Sequence, residues 1–497
     1  MKRSRTALGL AAIPLVFLAL FFFYPLVSIL GVGLAPAATA AGASPLEVLR
    51  DPYTADLFLF TAGQALISTV LALAVGLPAS YVLGTFRFRG RSTLLALSTL
   101  PFVLPTVVVA AALLSVVGQS GIINRLLGEL LGSGAPALQM ERTVALIILA
   151  HVFYNTPVVL RILTTHWMTR DQRPEEAATL LGASTLRLWL RVRLPLALPA
   201  ILSSALLVYI FTFTSFGVVL LLGGARIATV EVEIYRQAVS YFDLRTAAVL
   251  SILQMVSMSV VMLVFARMDR TAASTGSAAS ELRRPRRAGE RTAVVLTAAG
   301  LSMLLIAPLA MLALQSVTAA DGSLTLESYS QLFQESRRAV LNVPPIESIG
   351  RSLLIAAVAV ALAVPLGGLT AAALWRAHGK TSTALNLIVL LPLSASAVLL
   401  GLGFIIALDE PPLNLRTAWI LLPIAHTLVA IPLVVRSLTP ALRALPAEAG
   451  EAAAMLGARP SSVWRRIYLP MARPALIVGA LFAFTVSMGE FGATLFV

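Results

Sequence analysis

The residues of this chain whose types could do chemistry have spacings that argue against catalysis. A phosphate-cradling loop needs Gly-x4-Gly-Lys-Ser/Thr, so that backbone amides can surround the phosphates. Gly379-Lys380-Thr381 supplies the end of that pattern, but the leading glycine would be residue 374, which is Leu374. The fragment also follows an apolar run rather than a buried strand, and it reads as a basic turn. The four histidines, His151, His166, His378 and His426, have no metal-ligand spacing, and neither a nucleophile elbow nor a paired-carboxylate motif occurs. Cysteine is absent, which removes disulfide frameworks and thiolate sites. No catalytic residue, metal site or cofactor is therefore assigned. What remains are polar groups set in apolar surroundings: Glu490, His151, His426, Asn155 and Gln64. A carboxylate such as Glu490 is costly there and must face a bundle interior, a water-filled path or a polar partner. For His151 and His426 an interhelical polar contact is the plain expectation.

The elements that must hold these groups are apolar helices. Hydrophobic residues make up 58% of the 497 and charged residues 12%, a balance that points to the bilayer as solvent. A helix needs about 20 mostly apolar residues to cross, because every backbone amide must be satisfied internally. By that criterion spans lie near 8–32, 58–84, 92–117, 142–166, 196–222 and 246–266, and again near 292–316, 349–375, 382–408, 416–438 and 471–497, eleven in all. The first is too long for a signal-peptide core.

The net charge of +14 does not form the basic face with interleaved aromatics that nucleic acid requires. Instead Arg87, Arg89, Arg91, Arg170, Arg173, Arg187, Arg191, Arg193, Arg376, Lys380, Arg443, Arg465 and Arg466 fall in alternate connections, which places those connections and the amino terminus in the cytoplasm. Residues 267–291, with Arg283, Arg284, Arg286 and Arg287, read as a flexible cytoplasmic linker whose charges could also touch anionic membrane lipid.

Self-comparison divides the chain further. Adding 275 carries Ala150-His151 onto Ala425-His426, Pro157 onto Pro432, Arg161 onto Arg436, Pro199 onto Pro474 and Phe216-Gly217 onto Phe491-Gly492. Earlier segments align at other offsets, as Pro78 does with Pro365. The expected architecture is all-α and polytopic: two tandem parallel repeats of about six transmembrane helices, at 1–266 and 292–497. The offset puts a twelfth helix near 540, so the second repeat is expected to be incomplete at its carboxyl end.

Each repeat holds one long connection of a shared pattern. The first runs Glu176-Ala177-Ala178, Gly182, Val192 and Leu194-Pro195; the second runs Glu451-Ala452-Ala453, Gly457, Ile467 and Leu469-Pro470, without a gap between the copies. This spells a short helix, a glycine turn and a second short helix ending where proline starts the next span. Pro174, Glu175 and Glu176 suit the helix start, where acidic side chains favour the positive dipole end. Arg187, Arg191, Arg193, Arg465 and Arg466 are expected in water or against acidic partners.

This spacing resembles the EAA loop of permeases in ATP-binding-cassette importers. The resemblance covers essentially the whole chain. It implies two ATPase subunits docking on the two loops, ATP bound by those partners alone, an extracytoplasmic solute-binding protein, and a bacterial plasma membrane location. Among fused permeases the first half is most similar to the thiamine type, with iron(III) permeases close behind. That likeness rests on Ser215-Phe216-Gly217, Leu221-Leu222-Gly223-Gly224, Thr229 to Tyr235 and Asp243 to Ala248. It implies a solute path that could include Glu490, its repeat mate Ser215, Tyr209, His151 and His426, with an aromatic such as Tyr209 stacking on a cationic ring. The competing class is an ion-coupled secondary transporter, which would carry ionisable groups within its spans and would have no use for paired loops.

Overall fold

The computed structural model describes residues 2–35, 44–102, 104–132, 137–272, 282–319, 323–334, 344–394, 396–409, 414–415 and 418–496. Among them the chain is helical, and strand pairing is confined to two isolated bridges. Ten helices are long and apolar enough to cross a membrane: α1 Ala7–Leu34, α2 Pro52–Thr85, α3 Thr106–Leu131, α4 Val144–Thr169, α5 Thr185–Phe213, α6 Leu244–Val264, α7 Ala288–Leu305, α8 Pro345–Arg376, α9 Leu421–Arg443 and α10 Ser461–Gly489.

The ninth expected span, 382–408, is broken. Gly379–Pro392 and Ala397–Leu408 meet at 87°. Proline at the end of the first piece cannot continue a backbone ladder, and Ser396 restarts the second by accepting a hydrogen bond from the Leu399 amide at 3.0 Å. The expected span 92–117 is interrupted for a related reason: Arg91–Leu97 and a 3-10 turn Leu100–Phe102 precede Thr106–Val117, and Pro105 caps the last piece. Three further spans end before their expected limits, and the last of them, 471–497, stops at Gly489, which leaves Glu490 beyond the helix. The run 196–222 stops at Phe213 before a separate helix Gly217–Gly223, and 292–316 divides into Ala288–Leu305 and Ala307–Ser316, with Pro308 opening the second piece.

Small residues let the central helices approach closely, as is usual where lipid supplies no hydrophobic drive between helices. On α2 they recur every four residues: Ala72, Gly76, Ser80 and Gly84, all buried against α4. On α8 the series is Ala359, Ala363, Gly367 and Ala371, packed against α9. A β-carbon at Gly76 would lie 2.6 Å from Val159, and one at Gly367 would lie 2.7 Å from Val434, the repeat mate of Val159. At Gly84 the added atom would sit 2.5 Å from the β-carbon of Trp167, whose indole Nε1 donates to Ser80 Oγ at 3.2 Å. Gly84→Leu is therefore expected to cost about 1–3 kcal/mol by overpacking. Gly63→Ala, with open space around it on the same helix, is expected to be neutral or slightly stabilising. Thermal unfolding of the purified variants in detergent checks both.

The chain forms two compact units, each drawn from both halves of the sequence. One comprises Met1–Pro45, Ile234–Ile252 and Tyr329–Val497. Within it α1 packs along α8, and its later part, Tyr24–Leu34, lies on Ala397–Leu408, where Pro25 and Ile29 close over Gly403. The other comprises Leu46–Glu233 and Leu253–Ser328. Within it α7 packs on α2, with Leu301 among Leu83, Leu94 and Leu160, and Ala307–Ser316 packs on Thr106–Val117. The first span of each repeat thus completes the unit built mainly from the other repeat.

The expected flexible linker is only partly within the described residues, since 273–281 lie outside them. Its end is fixed. The Arg283 amide donates to Thr85 O (3.1 Å), the Arg87 amide donates to Arg283 O (2.8 Å), and the Arg283 guanidinium sits 4.6 Å over the Phe86 ring. Glu290 holds the same arginine at 2.9 Å and accepts the Arg286 amide at 2.8 Å, which caps α7.

Candidate functional site

The two long connections fold alike. Arg173–Leu180 and Ala447–Met455 are short helices, and each ends in the same glycine motif. In the first, the Gly182 amide donates to Thr179 O and the Ala183 amide to Ala178 O, both at 3.0 Å. In the second, Gly457 donates to Ala454 O and Ala458 to Ala453 O, again at 3.0 Å. This double closure satisfies the last helical carbonyls and needs a left-handed residue, which is why φ is +77° at Gly182 and +81° at Gly457. Neither glycine has a neighbour within 4 Å of a would-be β-carbon, so the constraint is backbone conformation alone.

The second short helix of each loop does not end at the Leu-Pro pair, as the sequence suggested. Thr185–Leu188 and Pro460–Val463 pass through five-residue π-turns, Trp189–Arg193 and Trp464–Tyr468, directly into the next span. The wider turn absorbs the carbonyl that Pro195 or Pro470 would otherwise strike, so Leu194 and Leu469 begin helices that continue the loop without a break.

Exposure is as symmetric as the backbone. Glu176, Ala177, Glu451 and Ala452 face solvent, while Ala178 and Ala453 are half-buried. The tip carries large apolar side chains: Leu180 is 89% exposed and Leu181 88%, and their repeat mates Met455 and Leu456 are both 89% exposed. Exposed apolar pairs at equivalent tips, rimmed by exposed Arg187, Arg191, Arg465 and Arg466, have the makeup of a contact surface.

Arg193 takes the second of its expected settings, an acidic partner, and the acid is Glu175 of its own loop. It donates through Nε to Glu175 Oε2 at 3.0 Å, with its terminal nitrogen at 2.9 Å from the same oxygen, while Arg170 Nε donates to Glu175 Oε1 at 2.7 Å. Arg170 also donates to Trp167 O at 2.7 Å. Both guanidinium groups lie over aromatic rings: Arg170 is 5.4 Å from Trp167, and Arg193 is 5.0 Å from Trp189 and 5.3 Å from Tyr81. Glu175 is therefore the hub of a buried ion triad as well as a first-turn acid. The available signal was the repeat comparison, for at the offset of 275 all three charged residues change together, to Leu445, Gly450 and Tyr468.

The expected path residues His151, Ser215 and Tyr209 belong to one unit, and His426 and Glu490 to the other. His151 is buried and shares a hydrogen bond with Ser68 Oγ at 3.1 Å, between α4 and α2. Asn155 donates to His151 O at 2.9 Å and Gln64 to Thr212 O at 3.0 Å. His426 meets Ser487 Oγ at 2.7 Å and Thr494 Oγ1 at 3.2 Å. Thr494 in turn donates to Glu490 O at 3.1 Å, so His426 and Glu490 are joined through one hydroxyl. The Glu490 carboxylate accepts the Ala493 amide at 3.0 Å and caps the 3-10 turn Ala493–Leu495. Its mate Ser215 lies half-buried in the break between α5 and Gly217–Gly223. Tyr209 packs with Phe58, Ala62, Ala65, Phe213 and Met258, its ring 5.8 Å from that of Phe213. Phe211 points outward from the same helix.

Comparison with known proteins returns to the same two segments. The family described as "Binding-protein-dependent transport system inner membrane component" matches residues 76–273 and again 363–497. A putative 2-aminoethylphosphonate transport system permease of Salmonella typhi is 29% identical over 248 residues, covering 49% of this chain and 85% of that protein. The thiamine transport system permease of Salmonella typhimurium is 28% identical over 463 residues, 90% of this chain and 81% of the relative. A molybdenum transport system permease of Mycobacterium tuberculosis is 33% identical over 219 residues, 44% of this chain and 80% of the relative.

Proposed function

The chain belongs to the family of binding-protein-dependent transport system inner membrane components, and from that premise we propose that it is the fused permease of an importer powered by two separate ATP-binding-cassette subunits. The observation that carries this reading is the pair of loops. Two copies of one backbone motif each end in a left-handed glycine and raise an exposed apolar pair at the tip. One docking surface per repeat fits one ATPase subunit per repeat. The arginine-rich connections that include both loops support a cytoplasmic location for the loops and the amino terminus by the insertion rule. A soluble binding protein delivers solute on the opposite face, and ATP is bound by the partners.

The proposed solute is thiamine or a thiamine phosphate. Support comes from a relative that spans most of this chain, a thiamine transport system permease, whereas the phosphonate and molybdenum permeases reported above align with about half of it. In proteoliposomes holding the permease, its ATPase and its binding protein, radiolabelled thiamine is expected to accumulate with ATP and no ion gradient. Accumulation driven by a proton or sodium gradient without ATP would sink the importer proposal. Uptake of 2-aminoethylphosphonate, molybdate or iron(III) in place of thiamine would retain the importer and replace its solute.

A further inference from the structure

We infer that Glu175 is a positioning residue for coupling, and that the two repeats brace their docking helices by chemically opposite and interchangeable means. The inference rests on the docking role proposed above. Glu175 sits in the first turn of Arg173–Leu180, Arg170 caps the end of α4, and Arg193 closes the π-turn that leads into the next span. One carboxylate thus ties three segments together at 2.7–3.0 Å, with the three side chains only 11–14% exposed.

The second loop meets the same demand without charge. Gly450 replaces Glu175, and a β-carbon there would fall 1.8 Å from the Tyr468 hydroxyl, so the phenol occupies the place of the carboxylate against bare backbone. Tyr468 replaces Arg193, and its ring lies 5.2 Å from that of Trp375. Leu445 replaces Arg170 and joins the apolar cluster of Trp375 and Trp464. Trp189 and Trp464, which are repeat mates, line both braces. Three positions therefore change as a set, from an ionic link to a phenol wedged into a glycine gap, while the helix, the turn and the exposed tip are unchanged. A carboxylate alone would be buried unpaired, and a tyrosine without the glycine would clash, so each set works only as a whole.

The test uses the full chain with its ATPase and binding protein. Glu175→Gln leaves two guanidinium groups without their anion and is expected to lower solute imported per ATP hydrolysed about tenfold at unchanged membrane abundance. The triple exchange Arg170→Leu, Glu175→Gly, Arg193→Tyr installs the second repeat's brace and is expected to restore the ratio to within about threefold of wild type, with Glu175→Gly alone remaining defective. In the other repeat, Gly450→Glu is expected to fail and Gly450→Glu with Leu445→Arg and Tyr468→Arg to recover, which decides the matter if the first triple variant is missing from the membrane. A wild-type ratio in Glu175→Gln, or failure of both exchanges to rescue, overturns the inference. Co-purification of the ATPase with the tip variants described below tests the docking role independently of either result.

Discussion

Replacing Gly182 and Gly457 together by valine is expected to abolish ATP-driven uptake while the chain still inserts and accumulates in the membrane. Both residues hold left-handed backbone angles, +77° and +81°, that an L side chain resists at a cost of about 1–2 kcal/mol, and more when it is β-branched. Because no atom lies within 4 Å of either would-be β-carbon, the penalty falls on the turn and not on the packing of the spans. Relief of that penalty unwinds the paired amide-to-carbonyl closures and swings the apolar tip away from its docking angle. Asparagine tolerates the left-handed region far better, so the double asparagine variant is expected to keep a substantial part of the activity. Uptake in vesicles, normalised to permease abundance, is the measurement, and equal loss in the valine and asparagine variants would show that the turn conformation is not what matters.

The second large effect is expected at the tips themselves. Leu180, Leu181, Met455 and Leu456 are each nearly as exposed as in a free peptide, so serine at these positions should change the permease's own stability by no more than about 0.5 kcal/mol. If an ATPase groove buries them, two large apolar side chains per loop are worth about 3–6 kcal/mol, a hundredfold or more in affinity. The fourfold serine variant is expected to lose the ATPase during purification and to show no uptake. Serine in one loop alone should leave partial association through the other. Retention of stoichiometric ATPase by the fourfold variant would falsify the docking role.

Much of this is legible in the sequence. Hydropathy located the spans because bilayer length and backbone satisfaction leave few alternatives, and the offset of 275 aligned the loops because identities survive there: Glu176 with Glu451, Gly182 with Gly457, Leu194-Pro195 with Leu469-Pro470. The glycine turn was legible for the same reason, since its geometry is local and tolerates little else. The ion triad was not, because it exists only where the repeats differ, and a comparison that scores identity passes over Glu175 facing Gly450. Breaks in the spans were hidden as well. Pro392 and Pro105 sit in runs whose mean hydropathy is uninterrupted, and only a direction in space separates a bent helix from a straight one. His151 and His426 stand out in the sequence as polar groups in apolar runs, but their partners, Ser68 for His151 and Thr494 for His426, lie 83 and 68 residues away. Nothing in a local pattern encodes such pairs.

The hand-over of first spans bears on how such a chain arose. Neither repeat supplies, from its own sequence, every helix of the unit it dominates: α1 serves the unit built from the second repeat, and α7 serves the unit built from the first. A lone ancestral repeat with this packing would have presented a gap that only a second copy could fill, and would itself have carried a helix with nowhere to lie. On this packing the expected ancestor is an obligate pair of single repeats that already exchanged their first spans. Severing the linker should accordingly leave two fragments that must be synthesised side by side, each folding only in the presence of the other.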